Sequence, residues 1–240
     1  CSEKEKEVLK RMKEEIGKPD FVHIHYNHED VKRTHNHFES IGITPKSLMM
    51  CADIFTYAES TFDPTLDCDI GFVGGYWPYK GQVLDKWLVP LLHPVGAYDV
   101  KIFGNQPWGV NQYCGVIADE DVKNLFASAR ICPNLSEPHA QEFGIDINER
   151  IFKVLYAEGF CIADNVEAYK MFGDGIVIAE SPEDFTEKID YLKNPDERAE
   201  IANKGFEYIA DNHTSVHRIA EILQYFRLDD YAQQILNSYE

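Results

Sequence analysis

The chain is short of positive charge. Its 23 lysines and arginines face 41 aspartates and glutamates, giving a net charge of −18 over 240 residues. That balance excludes nucleic acid or an anionic membrane surface as a general partner. No apolar run approaches the roughly 18 residues of a membrane span, and no signal-peptide pattern is present. Paired cysteines are also missing. Cys1, Cys51, Cys68, Cys114, Cys132 and Cys161 are scattered singly with no CxxC, which excludes a zinc ribbon. Cys132 and Cys161 stand inside apolar runs, as buried free thiols do, so a reducing, cytoplasmic setting is expected. A G-x-G-x-x-G dinucleotide fingerprint is absent at 73–81. The chain opens on Cys1 rather than Met, so a fragment of a longer protein is expected.

What is present suffices for a sizeable core: 44% of residues are apolar and 12% aromatic. The length suits one large domain or two small ones. Helical spacing at 3–17, a β-rich run at 21–26, a helical stretch at 29–40 and a strand at 46–51 make one short α/β unit. Residues 58–67 are polar with a proline and read as a linker. Strands are then expected at 69–75, 99–104, 115–117, 130–135, 160–164 and 175–180. Helices are expected at 82–92, 119–129, 147–159, 166–172 and 182–194, and two or three more at 196–239. Strands alternating with helices predict a Rossmann-like, doubly wound parallel sheet covered on both faces. The expected division is 1–66, 67–226 and a C-terminal helix at 227–240.

In such a sheet, ligands sit beyond the carboxyl ends of the strands. The first such place is 72-FVGGYWPYKG-81. Gly74 and Gly75 let backbone N–H groups approach a phosphate, and Lys80 supplies a local cation that the acidic chain otherwise lacks. The alternative is a tight turn with a solvated lysine. The helix start at 147 is the second place. Asp146 and Glu149 have capping-box spacing, and Asn148 and Arg150 sit where a helix N-terminus attracts anions. Here the alternative is a capped core helix with Glu149 paired to Lys153. His23, His25, His28, His35 and His37 cluster, yet no closing cysteine or carboxylate has ligand spacing, so no metal site is expected. Asp67-Cys68-Asp69 has a D-x-D form but precedes its strand, on the far side from the ligand mouth.

The stretches 71-GFVGGYWPYKG-81, 115-GVIADEDVKNLFASARICPNLS-136, 147-INERIFKVLYAEGFCIADN-165 and 176-IVIAESPEDFTEKIDYLKNPDERAEIANKG-205 together resemble the C-terminal half of group 1 glycosyltransferases. Among these the CgeB-like branch is the nearest, over residues 67–225. The resemblance implies the GT-B architecture of two Rossmann-like domains, with the N-terminal unit here short or truncated. It implies a nucleotide-sugar as donor substrate, an acceptor hydroxyl, no metal or other cofactor, and room for further domains of a longer chain. Gly74, Gly75 and Lys80 would hold the diphosphate, and Gly115, Val116 and Ile117 would border the base. Glu142 in the 136–146 loop would face the sugar, and Asn148, Glu149 and Arg150 would meet phosphate and ribose. Lys153 stands where the family carries a ribose-binding glutamate, with Glu149 or Glu158 as the substitute.

Two function classes follow. One is a transferase, with His25, His28 or Asp53 as the base if the reaction inverts. The other is a non-catalytic nucleotide-sugar-binding module or one domain of a larger transferase.

Overall fold

A computed structural model describes residues 7, 8, 10, 11, 14 and 21–239, and divides the chain into Cys1–Met49 and Met50–Glu240. In the smaller unit, β1 (Phe21–Ile24) pairs in parallel with β2 (Thr44–Ser47). Between them α1 (His28–His35) begins at Asn27, whose side chain accepts from the Asp30 N–H. Val31, Phe38 and Ile43 are buried there. The strand expected at 46–51 lies earlier because Pro45 does not disqualify a strand in a two-stranded sheet, where each strand has one unpaired side. Most of the helix expected at 3–17 falls outside the described residues; residues 7, 8, 10, 11 and 14 are helical.

The larger unit is a six-stranded parallel sheet. Its strands are β3 (Cys68–Val73), β4 (Val100–Phe103), β5 (Tyr113–Gly115), β6 (Ala129–Asn134), β7 (Cys161–Asp164) and β8 (Val177–Ala179). The spatial order is β5-β4-β3-β6-β7-β8. The chain therefore winds outward one way from β3, returns, and winds outward the other way from β6. The reversal lies between β3 and β6, where such sheets hold ligands. The central strands are buried on both faces, so they read as continuous apolar runs rather than alternating ones. Cys68, Cys132 and Cys161 are free, buried thiols on β3, β6 and β7. Ile70, Phe72, Ile102, Ile131 and Ile162 form the sheet's share of the core, against Leu84, Leu88 and Phe185 from the covering helices.

Two boundaries move. Residues 50–66 were expected on the smaller unit's side, but they are tied into the larger one. Ala52 exchanges backbone hydrogen bonds with His213 and Ser215, Lys123 donates to the Ala58 carbonyl, and Ser60 donates to that of Ala157. The supposed linker is a docked segment, tied in part through backbone groups that composition does not display. A short helix, α2 (Ile54–Tyr57), also falls within it. The helix expected at 82–92 is α3 (Pro78–Trp87), followed by a 3-10 turn at Val89–Leu92. Pro78 opens the helix, since its missing N–H is not needed in the first turn. Lys80 is thus inside a helix, not in a turn.

The ligand mouth depends on a close backbone approach. A Cβ on Gly104 would lie 2.5 Å from the Gly74 carbonyl oxygen, which already accepts from the Trp108 indole at 2.9 Å. Gly104→Ala is expected to destabilise the fold by about 1–3 kcal/mol, read as a lower urea midpoint at unchanged slope.

Candidate active site

Three more helices reach the mouth: α4 (Asp119–Ser128), α5 (Pro138–Phe143) and α6 (Glu149–Tyr156). The last buries Ile151, Phe152, Val154 and Leu155 on one face. That anchoring presents Arg150 inward from the first turn. Its Nε donates to the Val73 carbonyl at 2.8 Å and its Nη1 to the Leu135 carbonyl at 3.3 Å. These carbonyls end β3 and follow β6, so one guanidinium spans the reversal of the sheet. The Phe72 ring lies 4.7 Å beneath it. Burial lowers the Arg150 pKa from its ordinary value, yet arginine stays charged in proteins.

Lys80 projects from α3 into the same region and is 7% exposed. Among the described residues it has no hydrogen-bond or ion-pair partner. Its ammonium sits 5.2 Å from the Trp77 ring and 6.0 Å from that of Phe72. Burial, then the neighbouring Arg150 charge, push its pKa down to about 7, against the opposing influence of Glu137 and Asp164. The expectation of a solvated lysine is overturned. A buried cation flanked by another cation carries a desolvation cost that loss of its proton avoids and that a bound anion offsets.

The loop after β6 is tied down by Asp164, which is fully buried at the end of β7. Its carboxylate accepts from the Ser136 N–H and hydroxyl, both at 2.9 Å, and from Gln141 at 2.6 Å. Burial raises its pKa while these hydrogen bonds lower it. Ser136 also meets the Tyr169 hydroxyl at 2.7 Å, which accepts from Asn148 Nδ2 at 3.0 Å. Asn148 Oδ1 is left buried with no partner among the described residues. Further out, His139 Nε2 contacts Asp146 Oδ2 at 2.8 Å, and the His139 N–H donates to the Tyr79 hydroxyl at 3.1 Å.

Two cavities open on this arrangement and share Asn148. One of about 320 Å³ is lined by Lys80, Ser136, Glu137, His139 and Asp146. The other, of about 280 Å³, is lined by Tyr57, Val73, Asp119, Arg150 and Lys153.

The structure brings Gly74, Lys80, Asn148 and Arg150 together. Gly74 is where a Cβ would crowd Phe72 and Arg150. Gly75 adjoins it, and a Cβ there would press on Gln106. The capping box is not formed. Asn148 takes the N-cap position without a side-chain cap, and Asp146 is engaged by His139 instead. Glu149 is exposed and pairs with Lys153 at 3.2 Å, as the core-helix alternative holds. Glu158 lies past the far end of α6, so that helix separates it from the mouth. Glu142 is exposed on α5, a helix where a loop was expected. The expected strand at 115–117 ends at Gly115, whose φ of +99° stops it, and Val116 is 74% exposed. Asp53 belongs to the larger unit and caps α2, accepting from Phe55 and Thr56, the latter hydrogen bond foremost in lowering its pKa. His25 and His28 are exposed in the smaller unit. Asp67 and Asp69 lie at the amino end of β3 and pair with Arg130 at 3.0 and 3.6 Å.

Sequence reasoning placed the mouth at the 136–146 loop and after Asp164 but singled out only Glu142 there; the parts played by Ser136, His139, Asp164 and Tyr169 escaped it. One signal was present: Pro138 and Gly144 bracket α5 as helix start and stop. Arg150→Ala would strip both strand-end carbonyls of their partner. Each buried unsatisfied carbonyl costs about 1–3 kcal/mol, so a marked fall in melting temperature is expected alongside any loss of ligand binding, measured by differential scanning calorimetry.

Residues 84–224 match the sequence model of the family described as glycosyl transferase-like. No curated protein matches the chain. Sucrose-phosphate synthase from Thermosynechococcus elongatus superposes at a TM-score of 0.61 with 14% identity, over 95% of this chain and 63% of that one. HepE of Anabaena, solved with UDP and glucose, gives 0.64 and 13%, over 92% and 66%. T4 phage BGT, solved with UDP-glucose, gives 0.57 and 12%, over 91% and 64%. The chain thus spans under two thirds of the sucrose-phosphate synthase it resembles. These likenesses show the GT-B type of fold, and with the profile match over most of its length, the chain belongs to the glycosyl transferase-like family.

Proposed function

We propose that the protein transfers a sugar from a UDP-sugar to an acceptor hydroxyl, without a metal, and that it belongs to the CgeB-like branch. One observation carries the reading: a buried, unpartnered ammonium, Lys80, faces a cavity at the reversal of a doubly wound sheet. The N-termini of α3 and α6 point their dipoles to the same place. UDP is chosen because the HepE and T4 phage BGT structures hold UDP or UDP-glucose. In transfer, the bond from the sugar C1 to the diphosphate oxygen breaks, and negative charge grows on the leaving group. Lys80 stabilises that charge without reorganisation, the larger share falling in the transition state. Asn148 Oδ1 is free to accept from a ligand hydroxyl. If the reaction inverts, the acceptor's proton passes to a base, for which His25 and His28 are our candidates. Asp53, already occupied as a cap, is the weakest of the three. The free, buried thiols fit a reducing, cytoplasmic compartment. No helix among the described residues is long and apolar enough to cross a membrane.

Calorimetric titration with UDP, GDP, dTDP, ADP and CMP tests the site and the base together. UDP is expected to bind equally well in EDTA; binding that vanishes in EDTA and returns with manganese would sink the metal-free reading. Lys80→Met, which keeps the buried stem, is expected to lower kcat by about 10²–10³-fold while retaining the fold by circular dichroism.

The Lys80 pKa adds a pH dependence. The protonated form binds the diphosphate, and the diphosphate in turn raises the pKa in the complex. Affinity is therefore full below pH 7 and falls as pH rises through the free-state value of about 7, by about tenfold per pH unit, until the pKa of the complex is passed. Titrations between pH 7 and 9 check this, and Lys80→Met is expected to flatten the slope.

A further inference from the structure

The cavity beside Lys80 has a lopsided wall. One side carries the ammonium. The other carries only hydrogen-bond acceptors: the carboxylates of Glu137 and Asp146, and the orphaned Oδ1 of Asn148. His139 stands beside them, its Nε2 2.8 Å from Asp146 Oδ2. Nδ1 lies 3.4 Å from the Tyr79 hydroxyl and 3.7 Å from Glu137 Oε2. The Tyr79 ring stacks on the imidazole at an interplanar angle of 11°, and the Tyr79 hydroxyl accepts from the His139 backbone N–H. An occupant that satisfies such a wall is anionic at one end and rich in hydroxyl donors at the other. It carries no second negative group, because a carboxylate offers only acceptors and would face two like charges.

We propose that Glu137, His139 and Asp146 select the transferred sugar, admitting a neutral hexose bearing free hydroxyls and excluding a glycuronate. Glu137 and His139 are assigned as sugar-contacting groups, and Asp146 acts through His139 as a positioning residue. The proposal rests on the UDP-sugar reading above. It extends that reading from the nucleotide to the sugar.

The test compares UDP, UDP-glucose and UDP-glucuronate by calorimetry on the full chain. The two sugars differ at C6 alone, a CH₂OH against a carboxylate. UDP-glucose is expected to bind at least about tenfold more tightly than UDP-glucuronate, the size of effect that one unfavourable like-charge contact produces. Glu137→Gln is expected to narrow that ratio, with UDP measured in the same variant as the reference. Asp146→Asn is expected to weaken UDP-glucose relative to UDP by loosening His139, and His139→Gln to do the same. UDP that binds while UDP-glucuronate equals or exceeds UDP-glucose would overturn the sugar selection and leave the transferase reading standing. A ratio unmoved in Glu137→Gln would remove Glu137 from the assignment. Failure of UDP itself to bind would overturn the underlying reading, and the sugar proposal with it.

Discussion

One guanidinium holds the site's frame. Arg150 bonds carbonyls at the ends of β3 and β6, two strands that lie side by side although about sixty residues separate them in the chain. A doubly wound sheet leaves a crevice at this seam because the connections depart in opposite directions. The crevice walls need a tie, since no ladder hydrogen bonds continue past the strand ends. A fork of fixed geometry suits two carbonyls on different strands better than a flexible ammonium would. The same group adds to the electrostatics: after burial, its charge is the next cause that lowers the neighbouring Lys80 pKa to about 7.

Much of the architecture was legible in the sequence. The strands at 69–75, 130–135 and 160–164 announce themselves as apolar runs, because parallel strands are buried on both faces. Their alternation with helices carries the fold class. Pro78 marks a helix start that the apolar spacing from 82 onward hides, so Lys80 was placed one element too early. The docking of residues 50–66 was illegible because part of it runs through the carbonyls of Ala52, Ala58 and Ala157, groups common to every residue type, and the rest through side-chain pairs remote in sequence, such as Tyr57 with Asp119 and Thr61 with Asn124.

The site divides along the same line. Gly74, Lys80, Asn148 and Arg150 were readable from their position after a strand or at a helix start. Asp164 was not readable as a structural post, since a carboxylate at a strand end looks like a ligand-facing group until its three acceptor contacts are seen. The capping-box spacing at 146–149 misled for a related reason. Local spacing assigns Asp146 to its own helix, whereas His139, seven residues back and across a short helix, competes for it at 2.8 Å and wins. Pairings that cross a turn of irregular backbone have no period by which to be found.

The three thiols on β3, β6 and β7 equip the chain with a native reporter. Burial raises the pKa of each, so the reactive thiolate is scarce as well as enclosed. Cys114 is exposed and Cys51 partly so. An alkylating reagent would therefore mark the outer cysteines at once and the inner ones only when the central strands part. The slow phase of such labelling would be a clock for sheet opening, readable by mass with no introduced probe. Because β3 and β6 flank the crevice, a ligand that binds across the seam would slow that clock.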